Sequence, residues 1–134
     1  MLRNVVLAYD GSGASDRAFE HALDLAKEAH ASLHVVAVAW TAEIETRVGL
    51  DKVRLDCWTR LDTLRERGIA AHVDVAVEVA EGGPSEQIVA AADRVGADLL
   101  IIGHRRRSLL CRMAEASVAK RVIDRAHCPV LVTT

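Results

Sequence analysis

The sequence predicts a doubly wound α/β protein: a five-stranded parallel sheet in the order 3-2-1-4-5, with helices on both faces. Three observations carry this prediction. Five short apolar runs alternate with four stretches of helical spacing, the mark of strand–helix–strand units. Hydrophobic residues make up 51% of the 134 and aromatics only 3%, so the core is packed from Val, Leu, Ile and Ala. Parallel strands buried on both faces have this composition. No linker or low-complexity stretch divides the chain and no internal repeat is seen, so one domain over 1–134 is expected.

The first strand is read over Asn4 to Tyr9, a Val/Leu run ended by the turn Asp10-Gly11-Ser12-Gly13. Ser15 or Asp16 is the expected cap of a helix reaching Ala29, with Ala18, Ala22, Leu25 and Ala29 on one face. A second strand spans about Ser32 to Ala39. A second helix lies within Glu43 to Arg67, with Leu50, Val53, Cys57, Leu61 and Leu64 at helical spacing and Gly68 as its expected terminator. The third strand runs from about Ala71 to Val79. A loop and cap at Glu81 to Ser85 opens a helix over Ser85 to Val95, closed by Gly96. Asp98 to Ile102 is the most apolar strand. A last helix over Ala114 to Arg125 and a short strand from Pro129 to Thr133 complete the order.

The net charge of −2 conceals an asymmetry. Between Gly103 and His127 there are seven basic residues (Arg105, Arg106, Arg107, Arg112, Lys120, Arg121, Arg125) against Glu115 and Asp124. That segment is +5, which leaves −7 on the remainder. A basic segment on an acidic body attracts phosphates or an acidic protein partner. Trp40 and Trp58 are read as covering the second helix or an interface. They form no stacking ladder, so nucleic acid is not expected as a partner. Cys57, Cys111 and Cys128 show no CxxC spacing, so reduced thiols are expected and no disulfide framework or zinc site. The histidines form no metal-ligand set, the serines no GxSxG elbow, and no catalytic residues are assigned. No apolar stretch is long enough for a membrane span, and the amino-terminal run is too short for a signal peptide. A cytoplasmic protein is the expectation.

Open parallel sheets bind ligands at the carboxyl ends of strands, where the strand order reverses. With the order 3-2-1-4-5, that point lies between strands one and four. The segments expected to meet there are Tyr9-Asp10-Gly11-Ser12 and Gly103 to Ser108. Asp10 suits a ribose hydroxyl as an acceptor, or alternatively serves its own turn. The start of the last helix, near Ala116, Ser117 and Val118, offers backbone N–H groups to an anion. The final strand, with Val130, Leu131 and Val132, is an apolar edge that invites pairing with a second copy.

Four segments together resemble the universal stress protein family over nearly the whole chain: VVLAYDGSGAS, LHVVAV, GGPSEQIVAAADRVGADLLIIG and SVAKRVIDRAHCPVLV. The resemblance implies a stress-response regulatory or binding protein, not an enzyme, with ATP or another adenine nucleotide as ligand. It also implies a homodimer joined through Val130, Leu131 and Val132. Nucleotide-binding members carry Gly-x2-Gly-x9-Gly-Ser/Thr from the fourth strand to the last helix. In this chain Gly103 and Ser117 match, whereas Arg106 and Ala116 stand at the other two glycine positions. Asp10 after the first strand and Val38 on the second, set against an adenine ring, match further ligand positions. Missing glycines hinder close backbone approach to phosphate, while Arg105 and Arg106 supply guanidinium donors in their place. Nucleotide binding in altered or weaker form is therefore expected. The alternative is a ligand-independent homodimeric module whose loop at Arg105, Arg106 and Arg107 binds an acidic partner.

Overall fold

A computed structural model describes residues 1–40, 44–104 and 112–134, with the backbone alone for 112–117. Its elements are β1 (Asn4–Ala8), α1 (Gly13–Ala29), β2 (Ser32–Ala39), α2 (Arg47–Ala70), β3 (Val75–Glu81), α3 (Pro84–Val95), β4 (Leu99–Gly103), α4 (Arg112–Arg125) and β5 (Val130–Thr133). The strands form one sheet in the order β3-β2-β1-β4-β5. Every neighbouring pair is parallel, as the sequence predicts.

The apolar run of β1 is explained by its central place. Val5 and Leu7 face the layer formed with α1 and α2, alongside Phe19, Leu61 and Leu64. Val6 and Ala8 face the opposite layer with Ile88, Ala91 and Val122 of α3 and α4. Successive side chains point to opposite faces, so a strand covered on both sides has no position left for a polar residue. At the lower rim the Asp98 carboxylate accepts the N–H groups of Arg3 and Asn4 at 2.8 and 3.0 Å, joining the starts of β4 and β1. Those two donors hold the Asp98 carboxyl below the usual carboxylate range.

Several element ends differ from the sequence reading, each for a local reason. The cap of α1 is Ser12, not Ser15 or Asp16: the Ser15 N–H donates to Ser12 Oγ at 3.1 Å. Gly11, at φ +81°, turns the chain sharply enough for the helix to start early. Ser15 is instead buried in the first turn, its hydroxyl donating to Ser12 O at 2.9 Å. The buried face of α1 is Ala18, Phe19, Ala22, Leu23 and Ala26, with Leu25 and Ala29 at its margin.

Helix α2 starts after its cap Thr46 and runs through Gly68 to Ala70. Gly68 is therefore no terminator. A Cβ there would lie 2.2 Å from Val75 Cγ2, so the glycine lets the helix lie against β3. The longer helix delays β3 to Val75. Pro84 takes the first position of α3, where its missing N–H has no helical partner to lose. Gly96 closes α3 in the left-handed conformation, as expected.

Candidate functional site

Strand order reverses between β1 and β4: the chain leaves β1 through α1 on one face of the sheet, and α4 follows β4 on the other. A cleft of about 350 Å³ opens at the carboxyl ends of β1, β2 and β4. Its walls are apolar: Ala8, Val36, Val38 and Ile102 from the sheet, Pro84 and Ile88 from α3, Val118 from α4, and Trp40 just beyond β2. Tyr9, Asp10 and Ser15 bring polar groups to it, and Gly103 lines it at the end of β4. Mostly apolar walls with a few convergent polar groups are the usual make-up of a small-molecule site.

The polar side is held by its own turn. Asp10 Oδ1 accepts the Ser12 N–H at 2.9 Å, and the Asp10 N–H donates to Ser15 Oγ at 3.4 Å. Asp10 is exposed at the rim. Tyr9 is buried, and its hydroxyl donates to Asp16 Oδ1 at 2.6 Å. Burial, that hydrogen bond and the charge of Asp16 together push the Tyr9 phenol up to about 12, with Arg60 acting in the opposite direction. From the far side of the turn, Arg60 Nη1 on α2 donates to Gly11 O at 3.1 Å.

Gly103 has a structural duty the sequence reading did not assign. A Cβ there would lie 2.6 Å from both C and O of Ala14 and 2.8 Å from Ser15 N. The end of β4 thus touches the backbone of the first turn of α1. The next residue, His104, donates its N–H to Thr133 O at 2.7 Å, which ties the exit of β4 to β5. His104 Nδ1 and Thr133 Oγ1 are buried without a hydrogen-bond partner among the described residues.

Four of the residues singled out in the sequence line this one cleft: Asp10, Val38, Gly103 and Val118. Arg105 and Arg106 lie outside the described residues, as does Cys111. Ala116 and Ser117 fall on α4, but their side chains are likewise outside the description. Val130, Leu131 and Val132 form β5 at the sheet edge and do not line the cleft. Leu131 and Val132 are exposed, at 39% and 36%. A second groove of about 340 Å³ runs between β5 and α1, past Leu25, Leu131 and Thr133.

Trp40 lines the cleft instead of covering α2 or an interface, which corrects the sequence reading. Its position was recoverable: two residues past Val38, strand periodicity carries it to the same side. Ile88 and Pro84 had no such signal, because nothing in a helix sequence says which strand end it passes. Among the described residues no group of three or more His, Cys, Asp or Glu side chains is arranged to hold a metal ion. None of the described helices is long and apolar enough to cross a membrane.

Comparison with known proteins gives a consistent result. The sequence model of the universal stress protein family matches residues 1–134. Universal stress protein MJ0531 of Methanocaldococcus jannaschii is 33% identical, over 98% of this chain and 82% of its own length. The crystal structure of a universal stress protein family member from Burkholderia pseudomallei superposes with a TM-score of 0.82 at 29% identity, covering 98% of this chain and 95% of that one. A universal stress protein crystallised in complex with cAMP superposes with a TM-score of 0.75 at 27% identity, covering 99% and 97%.

Proposed function

The chain belongs to the universal stress protein family, and from that premise we propose that it is a cytoplasmic, non-enzymatic regulatory protein whose cleft binds an adenine nucleotide. The observation that carries the reading is that Asp10, Val38, Gly103 and Val118, far apart in sequence, share one cleft. A volume of about 350 Å³ falls within the range of about 300–1,000 Å³ usual for small-molecule sites. The apolar wall of Val36, Val38 and Ile102 suits the flat face of a base, and the Asp10 carboxylate at the rim suits the hydroxyls of a ribose. The cAMP complex of a protein 27% identical to this one supports the ligand class.

The phosphate end of the ligand meets a departure from the family motif. Arg106 and Ala116 replace glycines, so phosphate is gripped by side-chain charge more than by backbone N–H groups. Calorimetric titration with ATP, AMP and cAMP tests this reading, with binding expected in the native chain and weakened in D10A. No heat at millimolar nucleotide, together with binding gained by R106G/A116G, would show that this chain has lost the ligand. Salt-sensitive capture of an acidic protein in that case would favour the ligand-independent module.

The same proposal includes a homodimer through β5. Among the described residues that strand has a sheet neighbour on one side only, β4, and it carries the exposed Leu131 and Val132. An unpaired apolar edge is a template for a second strand. Sedimentation of the native chain should give a dimer and of L131K/V132E a monomer; a native monomer at tens of micromolar would refute the pairing.

A further inference from the structure

Resting on the nucleotide reading above, we propose that Arg60 of α2 is a positioning residue of the cleft: it clamps the Gly11 carbonyl from the opposite layer and so fixes where the Asp10 carboxylate stands. Arg60 is itself outside the cleft. Its helix packs on β3 and β2, with Leu61 and Leu64 in the core layer shared with α1, whereas the apolar walls of the cleft belong to the layer of α3 and α4. The guanidinium therefore reaches the turn from behind.

The turn needs such a clamp. Gly11 sits at φ +81°, in the left-handed region, and has no side chain of its own to anchor it. The peptide joining Asp10 to Gly11 is the hinge on which the carboxylate would swing. Asp10 Oδ1 closes the turn on the Ser12 N–H, and Arg60 Nη1 holds the Gly11 carbonyl at 3.1 Å. Glycine and arginine are mutually fitted: a Cβ on Gly11 would lie 2.2 Å from Nη1 and 3.0 Å from Cζ of Arg60. The base of the clamp is rigid, since Leu61, the next residue of α2, is fully buried. The same guanidinium also acts on the Tyr9 phenol, lowering its pKa against the stronger effects of burial and Asp16. Holding a binding group in place before the ligand arrives raises affinity by lowering the ordering cost.

The test uses the full chain in two measurements. In amide exchange without ligand, R60A should speed exchange at Asp10 and Ser12, the turn N–H groups that donate hydrogen bonds, by about tenfold or more, leaving Val6 and Val36 unchanged. R60K should recover most of the protection, because one donor suffices for the carbonyl. In titrations, R60A should weaken ATP by about fivefold and leave a 2′,3′-dideoxy analogue unaffected, because that analogue makes no use of Asp10. Adding R60A to D10A should cost nothing further. Unchanged turn exchange in R60A, or equal losses for both nucleotides, would overturn the proposal. If the native chain binds neither nucleotide, the nucleotide reading falls and takes Arg60's role in binding with it, while exchange still decides whether the clamp exists.

Discussion

Replacing Gly103 with alanine adds one methyl group where two elements already touch. The new Cβ would lie 2.6 Å from C and O of Ala14 and 2.8 Å from Ser15 N. Non-bonded carbon atoms settle at about 3.5–4.0 Å, so roughly 1 Å must be gained. The obstructing atoms are backbone, so no rotamer change relieves them. Helix α1 resists being pushed away, since Ser12 caps it and Ala18 and Phe19 hold it in the core. Overpacking of this kind costs about 1–3 kcal/mol, and an obstacle made of backbone puts G103A in the upper half of that range. For a chain of this length, about 2–3 kcal/mol lowers Tm by about 6–15 °C. Thermal and urea unfolding followed by circular dichroism measure it. G96A is the control: Gly96 has open space around it and is constrained only by φ +70°, so it should cost about 1–2 kcal/mol through backbone strain alone. A G103A protein melting with the native chain would refute the close-approach argument. Loss of ATP binding with melting unchanged would make Gly103 a ligand residue only.

Three further outcomes follow from the contacts. In G68A the better helix former gains about 0.5–1 kcal/mol, but its Cβ would meet Val75 Cγ2 at 2.2 Å. A net loss of about 1–2 kcal/mol is expected in urea unfolding, largely recovered in G68A/V75A because the obstacle is a side chain; a stabilised single variant would contradict this packing. Tyr9 is the chain's sole tyrosine, so tyrosinate absorbance reports it alone. The folded phenol should titrate toward about 12 instead of its ordinary 10.0. The folded value is the raised one, so stability present below 10.0 is lost as pH rises toward 12, and Y9F should flatten that loss. A folded protein ionising at the ordinary value would contradict the burial and the Asp16 bond. Asp98 is held below its ordinary range by the N–H groups of Arg3 and Asn4. Its stabilisation is therefore present above the unfolded carboxylate value and lost as pH falls through the folded one. D98N should be less stable than the native chain at neutral pH and should match it in strong acid; a gap that persists in acid would exclude the charge as its cause.

The sheet was legible because its signal is long-range and redundant. Five apolar runs with helices between them admit few right-handed parallel topologies, and the doubly apolar run Val5 to Ala8 already demands cover on both faces. The ends of elements were less legible, because they turn on single contacts. Nothing in the sequence distinguishes Gly68 as a helix terminator from Gly68 as a point of contact with Val75, and the choice displaced the start of β3. Ser12, Ser15 and Asp16 are all acceptable caps; the backbone of Gly11 decides among them. In the cleft, Tyr9 and Asp10 were placed by the reversal of strand order and Val38 by its motif position, and Trp40 lay within reach of strand periodicity. Ser15 was hidden by its reading as a helix cap, and Ile88 by the lack of any local mark of what a helix packs against.

The glycines of the cleft also change what the family motif can be taken to mean. Motif matching treats Gly103 as a surviving ligand position and Arg106 and Ala116 as losses. The atoms crowding Gly103 belong to Ala14 and Ser15, so this glycine is required by the junction of β4 with α1 whether or not a nucleotide ever binds. Its being glycine therefore carries no weight for the ligand, although its place on the cleft wall does. Gly11 is likewise required by the fold, through its left-handed backbone at φ +81°. The residues that do bear on the ligand are the apolar side chains of Val38 and Trp40, which line the cleft, and Asp10 at its rim, whose carboxylate also closes its own turn on the Ser12 N–H. A stable fold does not ask for a tryptophan at this rim, since an apolar surface open to water forgoes the gain of burial. If the cleft takes no ligand, V38T and D10N should change stability little and nucleotide titrations not at all. If it does take one, the same two variants should weaken nucleotide binding at similar stability, and that difference in binding separates a retained site from a vestigial one.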